Sequence, residues 1–343
     1  MKQLLNTLFV TSEDIYLALD GENVVAKRGE NIVARYPLHT LQEIISFSYA
    51  GASPALMGAC ADKAIGLAFC TPRGRFLARV GGENNGNVLL RRRQYREADD
   101  ELSACYIARN MIFGKLYNSA HSIARTCRDN GLRVDLYALR NAEETIKGLY
   151  TQVRACTDLE TLRGLEGVGA ATYFGVFDHM VLGQKDVFTF TQRSRRPPLD
   201  PTNALLSFAY SLLTHDCASA LESVGLDAYV GFMHKDRPGR SSLALDLMEE
   251  LRPCLADRFV LTLINNRVLS AKDFDYQESG AVLLTDTGRK TFLRQWQERK
   301  KEKITHPYLG EKLAWGMIPY AQALLLARYL RGDLDEYPPF LWK

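Results

Sequence analysis

The predicted secondary structure changes from mainly β-strand to mainly helix at the segment Gly81–Gly86, which reads GGENNG. Before this segment, candidate β-strands are separated by turn signals. The clearest signal is Asp20-Gly21 between IYLALD and NVVAKR, a residue pair typical of β-hairpin turns. After the segment, apolar residues recur at helical spacing almost to the end of the chain. The break therefore predicts a small β-rich N-terminal domain joined to a larger helical domain.

The first 80 residues contain several candidate strands and one candidate helix. Strand pairs are joined by short turns, including Pro72-Arg73-Gly74, and this favours antiparallel pairing. A short helix is expected from Ser53 to Ala64, with Ser53 as its N-cap and Pro54 in its first turn. The sequence predicts a small, twisted antiparallel sheet or sandwich whose simplest role is packing or dimerisation.

The rest of the chain is predicted to be helical, apart from one candidate strand at 281–286 and a loose tail at 336–343. The expected helices lie at about 90–129, 132–154, 159–182, 203–224, 256–267, 286–303 and 306–330.

Composition limits the possible classes of protein. The 343 residues are 46% hydrophobic and 24% charged, as in a globular protein large enough for two cores. No apolar run is long enough to cross a membrane, and the N-terminus lacks a signal-peptide pattern, so we expect a cytoplasmic protein without a membrane partner. Seven cysteines without a CxxC pair indicate reduced, buried thiols. A net charge of +3 permits nucleic-acid binding but requires local basic clusters.

The strongest candidate for chemistry is the stretch Gly225–Pro253. His234 lies in an apolar segment, and a basic loop and a helix follow it. On that helix Asp246, Glu249 and Glu250 are spaced i, i+3 and i+4, which places them on one face. An imidazole with oxygen ligands suits a divalent ion of the manganese or magnesium type. The alternative is an ordinary amphipathic helix whose acids lie on its solvated side.

Glu166 is unusual because it falls within the apolar stripe of the helix expected at 159–182. A carboxylate on a buried face is costly unless it is paired or binds a metal. The small neighbours Gly164, Gly167, Gly169 and Ala170 permit close approach of another element or of a DNA backbone. The residues alone leave two interpretations open, a metal ligand or the partner of an arginine such as Arg163.

Two basic segments are candidates for binding phosphate groups, because guanidinium groups bind phosphate oxygens well. One is the proline-stiffened QRSRRPPLDPTNALLS, and the other interrupts the stretch that contains the histidine. The side chains are Arg193, Arg195 and Arg196 in the first segment and Lys235, Arg237 and Arg240 in the second. A third cluster, Arg91–Arg93, is equally compatible with a solvated helix end.

Three strings, in this order, resemble motifs of the CRISPR-associated spacer integrases (the Cas1 family). They are EGVGAATYF, RRPPLDPTNALLS, and a histidine followed by LALDLMEE. The last two resemble in sequence the corresponding motifs of the type I-C branch. The resemblance implies an α+β protein in which an N-terminal antiparallel β-sandwich precedes a larger all-α catalytic domain. The implied parts are a dimerisation domain at 1–80, a linker at 81–87, the catalytic domain at 88–335 and a tail at 336–343.

Carried over residue by residue, the resemblance implies that Glu166, His234 and Glu249 bind one Mn²⁺ or Mg²⁺ ion. It also implies that Asp246 is an auxiliary catalytic acid, whereas Glu250 is expected to be a solvated neighbour. The basic side chains of the two segments above would bind DNA.

The family resemblance implies a metal-dependent DNA endonuclease and integrase of CRISPR immunity. Its 3′-hydroxyl chemistry would insert captured protospacer duplexes at CRISPR repeat ends, and the same site would cleave branched DNA. A homodimer is implied, together with the small second adaptation protein, Cas2. Two alternatives stay open. One is a stand-alone metal-dependent endonuclease acting on branched or single-stranded DNA, and the other is a non-catalytic DNA-binding scaffold whose acids form structural ion pairs.

Overall fold

The computed structural model describes residues 7–41, 43–63, 65–71, 76–81 and 88–343. The predicted turn at Pro72-Arg73-Gly74 and most of the GGENNG segment lie outside the described residues. The chain has the predicted α+β composition, with strands first and helices after them. The N-terminal strands are β1 (Thr7–Val10), β2 (Tyr16–Asp20), β3 (Asn23–Arg28), β4 (Asn31–Pro37), β5 (Glu43–Ser46), β6 (Gly66–Cys70) and β7 (Phe76–Arg79).

These strands form two sheets. β2, β3 and β4 make an antiparallel meander, and the predicted hairpin turn is confirmed, with Gly21 at a φ of +57°. In the second sheet, ordered β1-β5-β6-β7, β5 is parallel to both β1 and β6, and only β6 and β7 are antiparallel. The prediction of antiparallel pairing is wrong here. The whole meander separates β1 from β5, and the helix α1 (Pro54–Asp62) separates β5 from β6, so both connections are long enough for parallel crossovers.

One apolar core joins both sheets to α1. It includes Leu17 and Val24 from the meander, Ile44 and Leu67 from the second sheet, and Leu56 from α1. The predicted cap of α1 is confirmed, since the side chain of its N-cap serine accepts a hydrogen bond from the backbone N–H of Leu56 at 3.2 Å. Two sheets that share one core support the predicted sandwich.

Residues 88–343 are mainly helical, with two short hairpins. The helices are α2 (Val88–Asp99), α3 (Glu101–Asn130), α4 (Leu136–Gly148), α5 (Tyr150–Ala155), α6 (Leu159–Gly175), α7 (Phe177–Met180), α8 (Pro201–Ser223), α9 (Ser242–Glu249), α10 (Arg258–Asn265), α11 (Asp286–Lys301) and α12 (Ile318–Leu330). The hairpins pair β8 (Phe274–Tyr276) with β9 (Val282–Leu284), and β10 (Lys303–Thr305) with β11 (Lys312–Ala314).

Four predicted helices differ from the observed ones. Those expected at 132–154 and 159–182 are each observed as two helices, α4 with α5 and α6 with α7. The helix expected at 90–129 is broken at Asp100, whose side chain caps α3 by accepting a hydrogen bond from the N–H of Ser103 at 3.1 Å. The helix expected at 306–330 begins only at Ile318, because the second hairpin occupies the first part of that range. The strand predicted at 281–286 is confirmed as β9.

Contacts between Cα atoms divide the chain into two compact units. One comprises Met1–Asn85 with Phe292–Glu302, and the other Gly86–Thr291 with Lys303–Lys343. All seven cysteines are free thiols, and all but Cys127 are buried. None of the described helices combines the length and the apolar character needed to span a membrane.

The last residues of the chain are packed against the helices, so the prediction of a loose tail is wrong. Tyr337, Phe340 and Trp342 are all buried, and Phe340 is 0% exposed. Asn118 of α3 donates a hydrogen bond to the carbonyl of Phe340 at 2.8 Å and accepts one from the N–H of Trp342 at 2.8 Å. The sequence did not reveal this packing because a short, proline-containing segment has no helical or strand period.

Replacing Phe340 with alanine should lower the free energy of unfolding by about 3–5 kcal/mol, because it empties a fully buried aromatic site beside Trp315. Urea unfolding of the full chain measures this. The matched control is Tyr137→Ala, at an 84% exposed position, which should change stability by less than about 0.5 kcal/mol. Equal effects of the two substitutions would show that the C-terminal segment is not part of the folded core.

Candidate active site

The two predicted acids Glu166 and Glu249 meet at one lysine. Lys115, in the middle of α3, places its Nζ 2.7 Å from Oε2 of Glu249 and in contact with Oε1 of Glu166. The lysine and Glu249 side chains are 9% and 4% exposed, whereas that of Glu166, on α6, is 24% exposed. The ammonium group therefore lies where two carboxylates from distant parts of the sequence converge.

A close approach of two helices produces this convergence. A Cβ atom added to Gly169 of α6 would lie 2.2 Å from Cδ2 of Leu116 on α3, so the leucine side chain packs directly on the glycine and would have to move to admit a larger residue. The predicted role of small residues is thus confirmed at Gly169. At Gly164 and Gly167 a Cβ atom would meet nothing within 4 Å. Because α6 touches α3 at Gly169, the carboxylate of Glu166 comes within reach of α3.

Glu249 is held as an anion by two cations. Burial by itself raises the pKa of this carboxyl group, but the charges of Arg252 and Lys115 outweigh burial and lower the pKa to about 2. Arg252 approaches Oε1 at 2.7 Å. The lysine ammonium is close enough to Oε2 for an ion pair but is not aligned for a hydrogen bond, so this buried oxygen receives none. An anionic oxygen with unused lone pairs is what a metal ligand requires.

Asp246 fixes the position of His234. Oδ1 of Asp246 lies 2.5 Å from Nδ1 of the imidazole and accepts a hydrogen bond from the N–H of His234 at 3.0 Å. Oδ2 accepts from the N–H groups of Phe232 at 2.6 Å and Met233 at 3.0 Å. With Nδ1 engaged, Nε2 is the ring nitrogen that an ion can use.

Two further contacts hold the histidine loop. A Cβ atom added to Gly231 would lie 2.8 Å from Oδ2 of Asp246, so glycine allows the loop to pack directly on α9. Arg163 of α6 donates a hydrogen bond to the carbonyl of Met233 at 2.7 Å and also pairs with Glu160. The open alternative in which Arg163 is the partner of Glu166 is therefore wrong, because the residue paired with Glu166 is Lys115.

Glu166, Glu249 and His234 have side chains of the types that bind a divalent ion, but these side chains are not arranged as a metal-binding cluster. Among the described residues, no three His, Cys, Asp or Glu side chains are arranged to hold a metal ion. Glu166 and Glu249 are instead drawn to an ammonium group, and His234 to Asp246. Two carboxylates and one imidazole suit Mn²⁺ or Mg²⁺ once the ammonium moves.

One of the predicted site acids has surroundings that differ from those expected, and another is engaged by its neighbours. Asp246 is 1% exposed and hydrogen-bonds the histidine loop, and its role as an auxiliary catalytic acid stays a prediction. Glu250 is 0% exposed rather than solvated. The prediction that Glu250 is solvated failed because α9 is enclosed by other parts of the protein. Adjacent residues lie about 100° apart around a helix, so Glu249 and Glu250 contact different neighbours. The alternative of an amphipathic helix with a solvated acidic face is also wrong, since Asp246 and Glu249 are buried.

Glu250 faces the C-terminal segment. Its Oε2 accepts a hydrogen bond from the N–H of Phe340 at 2.7 Å. Its Oε1 accepts one from Gln322 at 2.8 Å and another from the hydroxyl of Tyr337. Burial raises the pKa of Glu250 to about 7, although these hydrogen bonds oppose the shift. The residue next to a predicted metal ligand therefore anchors the end of the chain.

The predicted DNA-binding residues differ in how far they are engaged by the protein itself. Arg193 is half-buried, donates hydrogen bonds to Asn203 at 2.6 Å and Ser207 at 3.1 Å, and has its guanidinium 5.3 Å from the ring centre of Tyr210. It therefore holds the loop before α8, and DNA binding by Arg193 stays a prediction. The remaining residues are accessible: Arg195, Arg196, Lys235 and Arg237 are exposed, and Arg240 is half-buried.

The sequence analysis missed three residues that shape this site, Lys115, Arg252 and Gln94. Gln94 of α2 donates hydrogen bonds to the carbonyls of Asp227 at 2.8 Å and Val230 at 2.9 Å, and so supports the segment that leads to the histidine. Lys115 could have been found by the same signal as Glu166, since it is a charge among buried positions of an apolar helix. No comparable signal marks Gln94 or Arg252.

Asp257 is a further buried acid, connected to Arg252 through the ring of Tyr210. The ring of Tyr210 has Arg193 near it and Arg252 5.1 Å from its centre, and its hydroxyl donates a hydrogen bond to Asp257 at 2.6 Å. Burial raises the pKa of Asp257 to about 6, although the Tyr210 hydrogen bond and the charges of the two arginines oppose the shift.

This shift predicts a pH-dependent stability. The unfolded chain releases the Asp257 proton near pH 4 while the folded chain retains it to about pH 6, so the folded state binds more protons in that window. The free energy of unfolding should therefore fall as pH rises, by on the order of 2–3 kcal/mol relative to Asp257→Asn. Urea unfolding at several pH values measures this, with the exposed Asp99→Asn as control. Parallel curves for wild type and Asp257→Asn would contradict the prediction.

Comparisons with known proteins agree with this geometry. Residues 8–298 match the family described as CRISPR associated protein Cas1. The chain is 48% identical over 343 residues to CRISPR-associated endonuclease Cas1 1 of Chlorobaculum tepidum, with both chains covered completely. A casposase bound to integration product shares the fold, with a TM-score of 0.82, 23% identity and coverage of 99% of this chain and 93% of the other. So does a chain of a Cas6-RT-Cas1–Cas2 complex, with a TM-score of 0.81, 22% identity and coverage of 100% and 36%. Since the family match covers more than half of the chain and the relative matches it from end to end, the chain belongs to the Cas1 family.

Proposed function

We propose that this chain is a divalent-metal-dependent DNA endonuclease and integrase of CRISPR adaptive immunity. The observation that carries the proposal is the convergence of Glu166 and Glu249 on a single cation, Lys115, in a family whose members are named endonucleases. Two partly buried carboxylates that already flank a positive charge can exchange that charge for a metal ion.

Glu166, His234 and Glu249 would hold one Mn²⁺ or Mg²⁺ ion. The ionised carboxylate of Glu249 and the imidazole oriented by Asp246 support this choice of ligands. When bound, the ion would polarise a phosphodiester and neutralise the charge that develops on it.

The side chains supply orientation and charge. Arg252 keeps Glu249 ionised by pairing with the oxygen that Lys115 does not contact, and Asp246 engages Nδ1 of the imidazole, which leaves Nε2 for the ion. Lys235, Arg237 and Arg240 follow the histidine directly, so they would hold DNA phosphates beside it, with Arg195 and Arg196 as a second contact. In integration the 3′-hydroxyl of the incoming DNA would attack a repeat-end phosphodiester, forming a new P–O bond as the P–O bond to the repeat strand's 3′-oxygen breaks and that oxygen leaves as a hydroxyl. With water as the nucleophile the same in-line displacement is hydrolysis.

The partners proposed are a second copy of this chain, Cas2 and DNA in the form of protospacer duplex, CRISPR repeat and branched junctions. Residues 1–80 would form the dimer, 81–87 the linker and 88–335 the catalytic domain, all acting in the cytoplasm. The shared fold with a chain of a Cas1–Cas2 complex supports the choice of Cas2. Assignment to the type I-C branch stays a prediction.

One observation favours a second candidate function. The ion pairs of Lys115 with Glu166 and Glu249 are also what a non-catalytic DNA-binding scaffold would use for stability. The two functions predict different effects of replacing His234, which does not pair with Lys115. A metal-dependent nuclease should lose its activity, whereas a scaffold has no DNA cleavage to lose.

His234→Ala is the substitution that separates them. It should reduce Mn²⁺-supported nicking and strand transfer on a supercoiled repeat plasmid to background. The melting temperature should stay close to that of wild type, because the ring is partly exposed and Asp246 keeps three backbone N–H donors without it. His179→Ala, at an exposed position, is the matched control. Activity of the His234 variant equal to wild type would remove the metal site, and activity without Cas2 would favour a stand-alone endonuclease.

Asp246→Asn should lower the apparent affinity for Mn²⁺ by roughly 10–100-fold, because it disturbs the partner that orients a metal-binding imidazole. Excess Mn²⁺ should restore most of the activity, unlike in His234→Ala. The exposed loop variant Asp236→Asn serves as the control. A loss of turnover that no Mn²⁺ concentration relieves would mean that Asp246 acts in the chemistry itself.

A further inference from the structure

We infer that Lys115 is a resident counter-ion of the active site, and that a divalent ion binds by displacing its ammonium group from between Glu166 and Glu249. This inference rests on the proposed function, because it concerns the same metal site. It assigns to Lys115 control of the affinity for metal and of the stability of the metal-free protein.

The burial of the three groups carries the first step. Nζ of Lys115 contacts one oxygen of each glutamate, and the side chains of Lys115 and Glu249 are nearly inaccessible to water. Two neighbouring carboxylates with little solvent repel each other and cannot both stay ionised without a cation. The ammonium therefore holds both in place before any metal arrives.

The two cations of the site differ in their freedom to leave. Arg252 binds the opposite oxygen of Glu249, and its guanidinium lies 5.1 Å from the centre of the Tyr210 ring, so it is fixed on both sides. Lys115 ends in a flexible four-carbon chain, and its second partner, Glu166, is 24% exposed. The ammonium can thus swing toward the accessible side of the site while Arg252 stays.

Competition between the ammonium and the metal follows from charge. A divalent ion that enters while Lys115 stays must approach a positive charge within a few ångströms, at an effective dielectric constant far below that of water. Removing the charge should strengthen metal binding, and it should also leave two acids without their partner in the metal-free protein.

The test uses Lys115→Met in the full-length chain. Isothermal titration calorimetry with Mn²⁺ should show binding tighter than in wild type by at least about tenfold. Calorimetric unfolding should show a lower melting temperature without metal and a larger rise on adding Mn²⁺ than in wild type. Lys115→Arg keeps the charge and should bind Mn²⁺ no more tightly than wild type, and Lys147→Met, at an exposed lysine paired with Glu143, should change nothing.

The outcomes separate this inference from the proposed function. If wild type binds Mn²⁺ and Lys115→Met binds it equally or more weakly, the counter-ion role is overturned while the metal site stands. If neither protein binds Mn²⁺, the proposed metal site fails as well. If only Lys115→Met binds measurably, Lys115 excludes the ion instead of yielding to it, and the displacement is overturned.

A second measurement needs no variant and covers the case in which Lys115→Met does not fold. Reductive methylation of wild type, read by mass spectrometry, should modify Lys115 faster with saturating Mn²⁺ than without it, because displacement frees its amine from the carboxylates. Lys147 serves as the internal reference, and its modification should not change with Mn²⁺. Equal modification of Lys115 in both conditions would overturn the inference.

Discussion

Charge buried between α3, α6 and α9 is the constraint on which the rest of the catalytic unit depends. Lys115 and Arg252 together neutralise Glu249, and Lys115 also reaches Glu166. Breaking such a buried arrangement by losing one partner costs several kcal/mol, about 3–5 in comparable cases. The helices must therefore meet closely enough for the charges to pair, and glycine at 169 makes the approach of α3 and α6 possible.

The adjacent acids Glu249 and Glu250 show how the environment, rather than residue type, sets their behaviour. Both are buried, yet the charges of two cations lower the pKa of Glu249, whereas burial raises that of Glu250 because its neutral hydrogen-bond donors oppose the shift only in part. A Cβ atom added to Gly114 of α3 would lie 2.9 Å from Cβ of Glu250, so the same helix that carries Lys115 also makes room for the acid that holds the C-terminal segment. Glu249, a proposed metal ligand, is thus adjacent in sequence to Glu250, the residue that holds the C-terminal segment.

The sequence predicted the parts of the fold that local chemistry determines, such as the Asp20-Gly21 hairpin and the capped helix after Ser53. It did not predict parallel pairing in the second sheet or the packed C-terminal segment, because both depend on contacts between residues far apart in the chain. In the site, the unusual position of Glu166 marked it correctly as a residue that needs a partner. The identity of that partner, Lys115, depended on how α3 packs, which no single segment encodes.

The three proposed ligands are prepared to different degrees. The imidazole of His234 is already fixed, since Asp246 holds both its ring and its backbone N–H. The carboxylates of Glu166 and Glu249 are instead kept together by an ammonium that the ion has to replace. Metal binding in this arrangement exchanges one cation for another and leaves the acids close to where they were, so the unit can fold around its site before the metal is present. This exchange lowers the affinity for the metal ion, because each ion must displace the Lys115 ammonium before it binds.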